Sequence, residues 1–202
     1  MSRLIIGITG NIASGKSRVA QRFQEKGCSL IDADKVAHEL YATNRGLLQQ
    51  LSGQFGPEVL HPDGTLNRRR LGAQVFGDPE SLSALNRIVH PHLLVAVRER
   101  IFSALRVFNR VVLDAALIVE WGIRSEIDFL VLVTAPDPQR LNWLMERDGL
   151  TRIEAEQRLF TQMPDSEKRN LADAVIENNS GVSDLNQKAE AVWESIMEKY
   201  GE

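Results

Sequence analysis

The stretch that decides the fold is Gly10-Asn11-Ile12-Ala13-Ser14-Gly15-Lys16-Ser17, which matches the pattern G-x-x-x-x-G-K-S. An apolar run at positions 4–9 precedes it, and a helical pattern begins near Lys16. This context predicts a strand, a glycine-rich loop and a helix whose free N–H groups point at an anion. Lys16 is expected to reach the β- and γ-phosphates of a nucleoside triphosphate, and the Ser17 hydroxyl to hold Mg²⁺.

Composition and charge argue against a general nucleic-acid binder and a membrane-spanning protein. The chain has 202 residues, of which 43% are hydrophobic, and carries a formal net charge of -3. The length suits one domain with an insertion. The charge argues against a general nucleic-acid binder, and no apolar stretch approaches the ~20 residues that a membrane span needs. The single Cys28 and the lack of a signal-peptide pattern predict a cytoplasmic protein in which this cysteine is a small buried residue.

The apolar runs predict the class of fold. Each is short and continuously apolar, as is typical of parallel strands that are covered on both faces. Helical patterns separate them, which predicts an α/β fold with a doubly wound, parallel, five-stranded sheet. The predicted strands cover 4–9, 29–31, 111–114, 129–134 and 174–177.

Uneven spacing of the strands predicts the domain organisation. Nearly 80 residues separate the second and third strands, and they read as a helical insertion at 33–108 that binds a substrate. We expect a core at 1–32, 109–138 and 172–202, and an arginine-bearing helical lid at 139–171. Predicted helices of the insertion cover 33–43, 46–55, 68–76, 80–89 and 92–108.

The predicted lid contains sequence signals for the ends of two helices. A helix at 137–148 is expected to stop at Gly149. Thr151 and Glu154 then form a capping-box pattern that begins a second helix to about 161. The last predicted helix covers 184–200.

Carboxylates follow two of the predicted strands. Asp32 and Asp34 come at the end of the second strand and Asp114 ends the third. Ligands of open parallel sheets lie beyond the carboxyl ends of the strands, so one aspartate of the Asp32–Asp34 pair is placed to accept a hydroxyl proton and the other to order Mg²⁺. A helix N-cap is the alternative for either residue alone.

Other candidate groups are less specific. Arg140, Arg147 and Lys168 are candidates for stabilising charge on a transferring phosphoryl group. Glu120 is a candidate substrate ligand or a solvated residue. The pair His90 and His92 has an unusual spacing for a metal site, so substrate contact or helix capping is favoured.

The motifs separate several classes of protein that share the loop. A GTPase would need D-x-x-G and N-K-x-D, and neither occurs in the sequence. A short chain with a helical insertion and a late arginine-rich hairpin favours a small-molecule kinase. A nucleoside monophosphate, gluconate and shikimate remain alternative acceptors, and a non-enzymatic nucleotide-binding regulator remains an alternative class.

The chain resembles the dephospho-coenzyme A kinase family of the P-loop NTPase superfamily. The family's opening pattern G-x-T-G-G-I-G-S-G-K-S compares with residues 7–17, with Asn11 and Ala13 in place of glycines. Its D-A-D and downstream histidine compare with 32–34 and His38. Its D-x-P-L-L-x-E compares with 114–120, where Ala116 replaces the proline. Further matches are His90-Pro91, Arg147-Asp148-Gly149, Gln162, Lys168, Ala172-Asp173 and Val175-Ile176-x-Asn178.

The resemblance implies ATP-dependent phosphorylation of the ribose 3′-hydroxyl of dephospho-CoA, with Mg²⁺ and without a nucleic-acid or membrane partner, by what is expected to be a monomer. It implies that Asp34 is the base, with Lys16, Arg140 and Arg147 acting on the phosphates. Substrate contacts are expected from Asp32, His38, His90 and Glu120. The metal site is expected at Ser17, Asp32 and Asp114. ATP is expected to bind Asn11, Ile12, Ala13, Ser14, Gly15, Lys16, Ser17 and Asn178.

Overall fold

The computed structural model describes residues 3–75 and 77–201. These form two compact units, one made of the chain up to Asp32 together with the chain from Ile101 onward, the other of Ala33–Arg100. Within the described ranges no helix is long and apolar enough to cross a membrane. The predicted helix end at Phe76 lies outside the described residues.

The first unit is built on a five-stranded, all-parallel sheet with the strand order β2-β3-β1-β4-β5. The predicted sheet is confirmed, and the strand bounds differ from the expected ones by one residue at most. The strands are β1 Leu4–Thr9, β2 Ser29–Asp32, β3 Arg110–Asp114, β4 Phe129–Thr134 and β5 Ala174–Glu177.

Helices follow most of these strands. They are α1 Lys16–Glu25, α2 Ala33–Thr43, α3 Arg45–Phe55, α4 Arg68–Val75, α5 Pro79–Ala104, α6 Asp137–Asp148, α7 Arg152–Leu159, α8 Asp165–Arg169 and α9 Val182–Tyr200. Short 3₁₀ turns lie at Pro57–Val59 and Arg124–Glu126. The sequence pattern did not predict α8.

One buried cluster of the first unit lies between the sheet and the helices α1 and α9. The Phe23 ring of α1 meets the Trp193 ring of α9 edge to face, with ring centroids 5.3 Å apart. Cys28 is buried in this cluster, and burial raises the pKa of its thiol to about 11. Cys28 is therefore a packing residue whose thiol stays protonated at neutral pH.

The helical hairpin of α6 and α7 begins and turns where the sequence predicted, and α7 ends at Leu159, two residues before the predicted end. Gly149 ends α6 in the left-handed conformation with φ of 65°, and Thr151 and Glu154 form the capping box that begins α7. A small apolar cluster joins the two helices and also takes in two residues of the glycine-rich loop, Ile12 and Ala13. Its buried members are Leu141, Leu144, Ala155 and Leu159.

Helix α5 corrects the prediction of two helices at 80–89 and 92–108, which was wrong. One helix runs through Pro91 and ends at Ala104. Proline removes one backbone hydrogen bond and crowds the preceding turn, which is why the sequence indicated a break. The apolar face continues past it, and buried side chains at Ala84, Val89, Leu93 and Val97 hold the helix on both sides of the proline.

Replacing Pro91 with alanine should therefore stabilise the protein. The Pro91 side chain is exposed, so no core packing is lost. We expect Pro91→Ala to raise the free energy of unfolding by about 1–3 kcal/mol, because proline is unfavourable by roughly 3 kcal/mol in a helix interior. Val95→Ala, at another exposed position of α5, is the control and should change it by less than about 0.5 kcal/mol in urea unfolding. Equal effects of the two variants would contradict the prediction.

Candidate active site

The glycine-rich loop leaves β1 at Thr9 and enters α1 at Lys16. Gly10 has φ of 151°, and a Cβ built there would lie 2.1 Å from the Val133 carbonyl oxygen, so no side chain fits. Gly15, with φ of 96°, stands at the N-cap of α1. The loop thus curls at two glycines and brings the N-terminus of α1 to the carboxyl edge of the sheet, where backbone N–H groups favour an anion.

Charged side chains meet the loop at this edge. Lys16 Nζ lies 2.9 Å from Asp114 Oδ1, and the Asp114 side chain is only 3% exposed. Asp32 is the register partner of Asp114 on the neighbouring strand, so both carboxylates leave the same edge of the sheet. Ser17, in the first turn of α1, is exposed. The structure therefore brings the predicted lysine and the predicted metal ligands to one end of the first unit.

Residues far along the chain hold the loop in shape. Asn178 Nδ2 donates to the Ser14 carbonyl at 3.0 Å. Ile12 N donates to Gln162 Oε1 at 2.7 Å, and Asn11 Nδ2 donates to the Met163 carbonyl at 3.1 Å. Asn11, Ser14 and Asn178 are buried. Asn178, predicted to bind ATP, contacts the loop itself.

A buried ion pair lies beside the loop. Lys168 is fully buried, and its Nζ lies 2.8 Å from Glu120 Oε1 and donates to the Ala116 carbonyl at 2.8 Å. Thr9 Oγ1 donates to the same carbonyl at 3.0 Å, and Met163 N donates to Glu120 Oε1 at 3.3 Å. Lys168 therefore joins α8 to the segment that follows β3.

The two predicted arginines of the hairpin differ in surroundings. Arg140 is buried, pairs with Asp137, and has an Nη2 that lies 3.8 Å from Asp165 Oδ2. Its Nε and Nη1 are buried without a hydrogen-bond partner among the residues that the structure describes. Arg147 is exposed and donates to Asp148 at 2.8 and 3.1 Å. Of these two arginines, Arg140 is the one that presents buried donors without a partner among the described residues.

A cavity of about 380 Å³ opens beyond the carboxyl ends of β4 and β5. Burial raises the pKa of the Asp165 carboxyl in its wall, and the Arg140 guanidinium opposes that rise. Its lining residues are Thr134, Ala135, Pro136, Asp165, Ser166, Arg169, Glu177 and Asn179.

The second unit carries the remaining candidates. Asp34 and His38 are exposed on α2 and line a cavity of about 360 Å³ together with Lys35 and Glu39. His90 is half-buried on α5, directly before Pro91.

His92, two residues after His90, contacts the residue that caps α3. Its Nδ1 lies 3.5 Å from Asn44 Nδ2, and Asn44 caps α3 by accepting from Leu47 N at 3.0 Å. No group of three or more His, Cys, Asp or Glu side chains able to hold a metal occurs in 3–75 or 77–201.

Comparison with known proteins identifies the family. The family model described as dephospho-CoA kinase matches residues 4–184. The chain belongs to the dephospho-CoA kinase family. It is 41% identical over 175 residues to the dephospho-CoA kinase of Shouchella clausii, which covers 86% of this chain and 89% of the relative.

Solved structures agree with this fold. A Thermus thermophilus protein of known crystal structure is 36% identical, with a TM-score of 0.76 over 96% of this chain and 98% of that one. Dephospho-CoA kinase from Campylobacter jejuni, 24% identical, has the same fold, with a TM-score of 0.62 over 96% and 97% of the two chains. The P-loop kinase fold predicted from the sequence is thereby confirmed.

The sequence did not indicate two contacts of the site. One joins Gln162 to the phosphate loop, and the other joins Lys168 to Glu120. Gln162 and Ile12 are 150 positions apart, and no local pattern indicates that an amide side chain accepts from a distant backbone N–H. Lys168 stands among other basic residues in the sequence, where a buried lysine is the exception.

Breaking the buried pair should destabilise this member of the dephospho-CoA kinase family. Lys168→Met leaves Glu120 without its cation, and we expect a loss of about 3 kcal/mol in the free energy of unfolding. The double variant Lys168→Met/Glu120→Gln should recover part of that loss, as measured by urea unfolding.

Lys26→Met is the control for this experiment. Lys26 forms an ion pair with Glu190 on the surface, so its removal should cost at most about 1 kcal/mol. A Lys168 variant as stable as the Lys26 variant would show that Glu120 is not left as an uncompensated buried charge.

Proposed function

We propose that this protein transfers the γ-phosphoryl group of ATP to the ribose 3′-hydroxyl of dephospho-CoA, giving CoA and ADP. The observation that carries the proposal is the phosphate loop with its Lys16–Asp114 pair, in a chain that matches the dephospho-CoA kinase model over residues 4–184. Phosphoryl transfer depends on positioning and charge neutralisation, and this edge of the sheet supplies groups for both.

The donor nucleotide is proposed to bind the first unit. The N–H groups of the loop and of the first turn of α1 would receive the phosphates, with Lys16 on the β- and γ-phosphates. The unpaired, buried Nε and Nη1 of Arg140 supply further donors, and Arg147 would approach from the end of α6. The cavity beyond β4 and β5 is proposed to hold the adenine base of ATP, near Asn178.

The residues at the loop fit a magnesium site. Mg²⁺ prefers oxygen ligands and is usually bound by one or two protein oxygens together with phosphates and waters. The Ser17 hydroxyl and the Asp32 and Asp114 carboxylates form such a donor set. Bound there, the ion would neutralise charge on the phosphates.

Asp34 is proposed as the base for the acceptor hydroxyl. It lies in the first turn of α2, two residues after Asp32, and its carboxylate is exposed in the cavity that His38 also lines. In a loose transition state the acceptor hydroxyl loses its proton only when its bond to phosphorus is largely formed. A weak base such as an aspartate can therefore accept that proton.

The acceptor contacts are proposed to come from His38, His90 and Glu120. Glu120 Oε1 is engaged by Lys168, whereas its Oε2 is buried without a hydrogen-bond partner in the described part of the chain. Oε2 is therefore the oxygen available to a substrate donor. We further propose that the protein works as a monomer in the reducing cytoplasm on small-molecule substrates.

An acceptor panel tests the proposed reaction. ADP release from ATP and Mg²⁺ should depend on dephospho-CoA, with adenosine, AMP, gluconate, shikimate and no acceptor as the comparisons, and the product should carry a 3′-phosphate. Release that depends on one of the other acceptors would replace the proposed substrate. Nucleotide binding with no acceptor-dependent release would favour the regulator.

The base assignment has its own test. Asp34→Asn should lower kcat by about 100-fold or more, which is the scale of a general base, and should leave the unfolding transition in place because the side chain is exposed. Asp63→Asn changes an exposed aspartate of the same unit, outside the cavity, and should leave kcat unchanged. An Asp34→Asn enzyme with near-normal kcat would remove the assignment.

A further inference from the structure

We propose that Arg68, in cation–π contact with Tyr41, forms an anion subsite that binds the 5′-diphosphate of the acceptor. This inference rests on the proposed function and deepens it. The guanidinium carbon of Arg68 lies 5.4 Å from the centroid of the Tyr41 ring, in a cation–π contact within the second unit. Tyr41 is half-buried and packs on the apolar cluster of that unit, so it offers Arg68 a fixed platform.

Arg68 keeps its hydrogen-bond donors available. A guanidinium that contacts an aromatic ring through its positive charge still has N–H groups that can bind a phosphate. No carboxylate lies within 4.0 Å of the Arg68, Arg69 or Arg70 guanidinium among the described residues, whereas many other arginines of the chain have such a partner.

The helix that carries Arg68 also lacks a compensating charge. α4 begins with Arg68-Arg69-Arg70 and has no acidic residue in its first turn. The N-terminus of a helix carries partial positive charge and disfavours cations. An anionic ligand at Arg68 would relieve this repulsion, which is a physical reason for Arg68 to lie beside a ligand.

Helix α2 links Arg68 to the proposed base. Asp34, His38 and Tyr41 are spaced i, i+4 and i+7 on α2, and residues with this spacing share one face of a helix. Asp34 and Tyr41 are therefore separated by about 10 Å along the helix axis. An acceptor whose 3′-hydroxyl meets Asp34 would extend its ribose along this face and its 5′-diphosphate toward Arg68.

Charge along the face sets the direction of the acceptor. At the Asp34 end the cavity is lined by a carboxylate and a cation, Asp34 and Lys35, and Glu39 farther along α2 is already paired with Arg100. A diphosphate gains no net attraction where Asp34 and Lys35 offset each other, whereas the Arg68 guanidinium offers it a positive charge with no carboxylate within 4.0 Å among the described residues. The arrangement thus admits a hydroxyl at Asp34 and an anion at Arg68, and disfavours the reverse orientation.

Kinetics of three variants test the subsite at saturating ATP with dephospho-CoA as the varied substrate. Arg68→Ala should raise KM for dephospho-CoA by about 10- to 100-fold, the scale of a charge-assisted hydrogen bond, with kcat nearly unchanged. Arg68→Lys keeps the charge but loses the planar fork, so its KM should be intermediate.

Arg70→Ala is the matched control. It removes the same charge from the same turn of α4, but residues two apart do not share a helix face. We expect KM to stay near the wild-type value. A thermal melt of each variant shows that the comparison is between folded proteins, as the exposed positions of both arginines predict.

Salt dependence identifies the charge on the ligand. KM of the wild-type protein and of Arg70→Ala should rise with ionic strength, and the rise should be shallower for Arg68→Ala, because the screened contact is absent there. Equal KM values, or equal salt slopes, for Arg68→Ala and Arg70→Ala would overturn the subsite. A wild-type protein that does not turn over dephospho-CoA would overturn the proposed function instead, so the two failures are distinct.

Discussion

The close approach of the loop to β4 at Gly10 is the constraint on which the nucleotide end of the fold depends. The Val133 carbonyl occupies the space that any side chain at position 10 would need. This approach is possible because β1 and β4 are direct parallel neighbours, so their carboxyl ends lie side by side. β3 flanks β1 on the other side and delivers Asp114 to Lys16. The strand order thus places the loop and its charged partners together without any local sequence signal for the pairing.

Buried polar contacts then fix the loop against the rest of the first unit. A buried ion pair such as Lys168–Glu120 adds little net stability over an apolar pair of similar volume, because both groups must leave water. Its geometry offers something else: Lys168 also bonds the Ala116 carbonyl, and Glu120 also accepts from Met163 N. The Met163 carbonyl accepts from Asn11, and Gln162 accepts from Ile12. The same network therefore contacts the phosphate loop. We infer that these groups specify one arrangement of the segments around the phosphates.

The sequence was sufficient for features whose signal is local. The continuous apolar runs predicted all five strands because both faces of the sheet are covered. Gly149 and the Thr151–Glu154 box marked the hairpin because caps act within four residues. Pro91 misled because its local cost is offset by packing on both sides, which the sequence does not display. The Gln162–Ile12 and Lys168–Glu120 contacts were beyond prediction for the same reason, since only the folded chain brings them together.

The structure shows the surroundings of two residues that depart from the family pattern, Ala13 and Ala116. Ala13 has φ of 61°, a left-handed conformation that costs a residue with a Cβ about 1–2 kcal/mol. Its methyl group packs with Ile12 on the apolar cluster of the hairpin, and burying a group of that size returns about 0.8 kcal/mol. At Ala116 the contacts made by Lys168 and Thr9 go to the backbone carbonyl. Proline would present the same carbonyl, so the network is indifferent to the exchange and the segment that leads to Glu120 keeps both of its anchors.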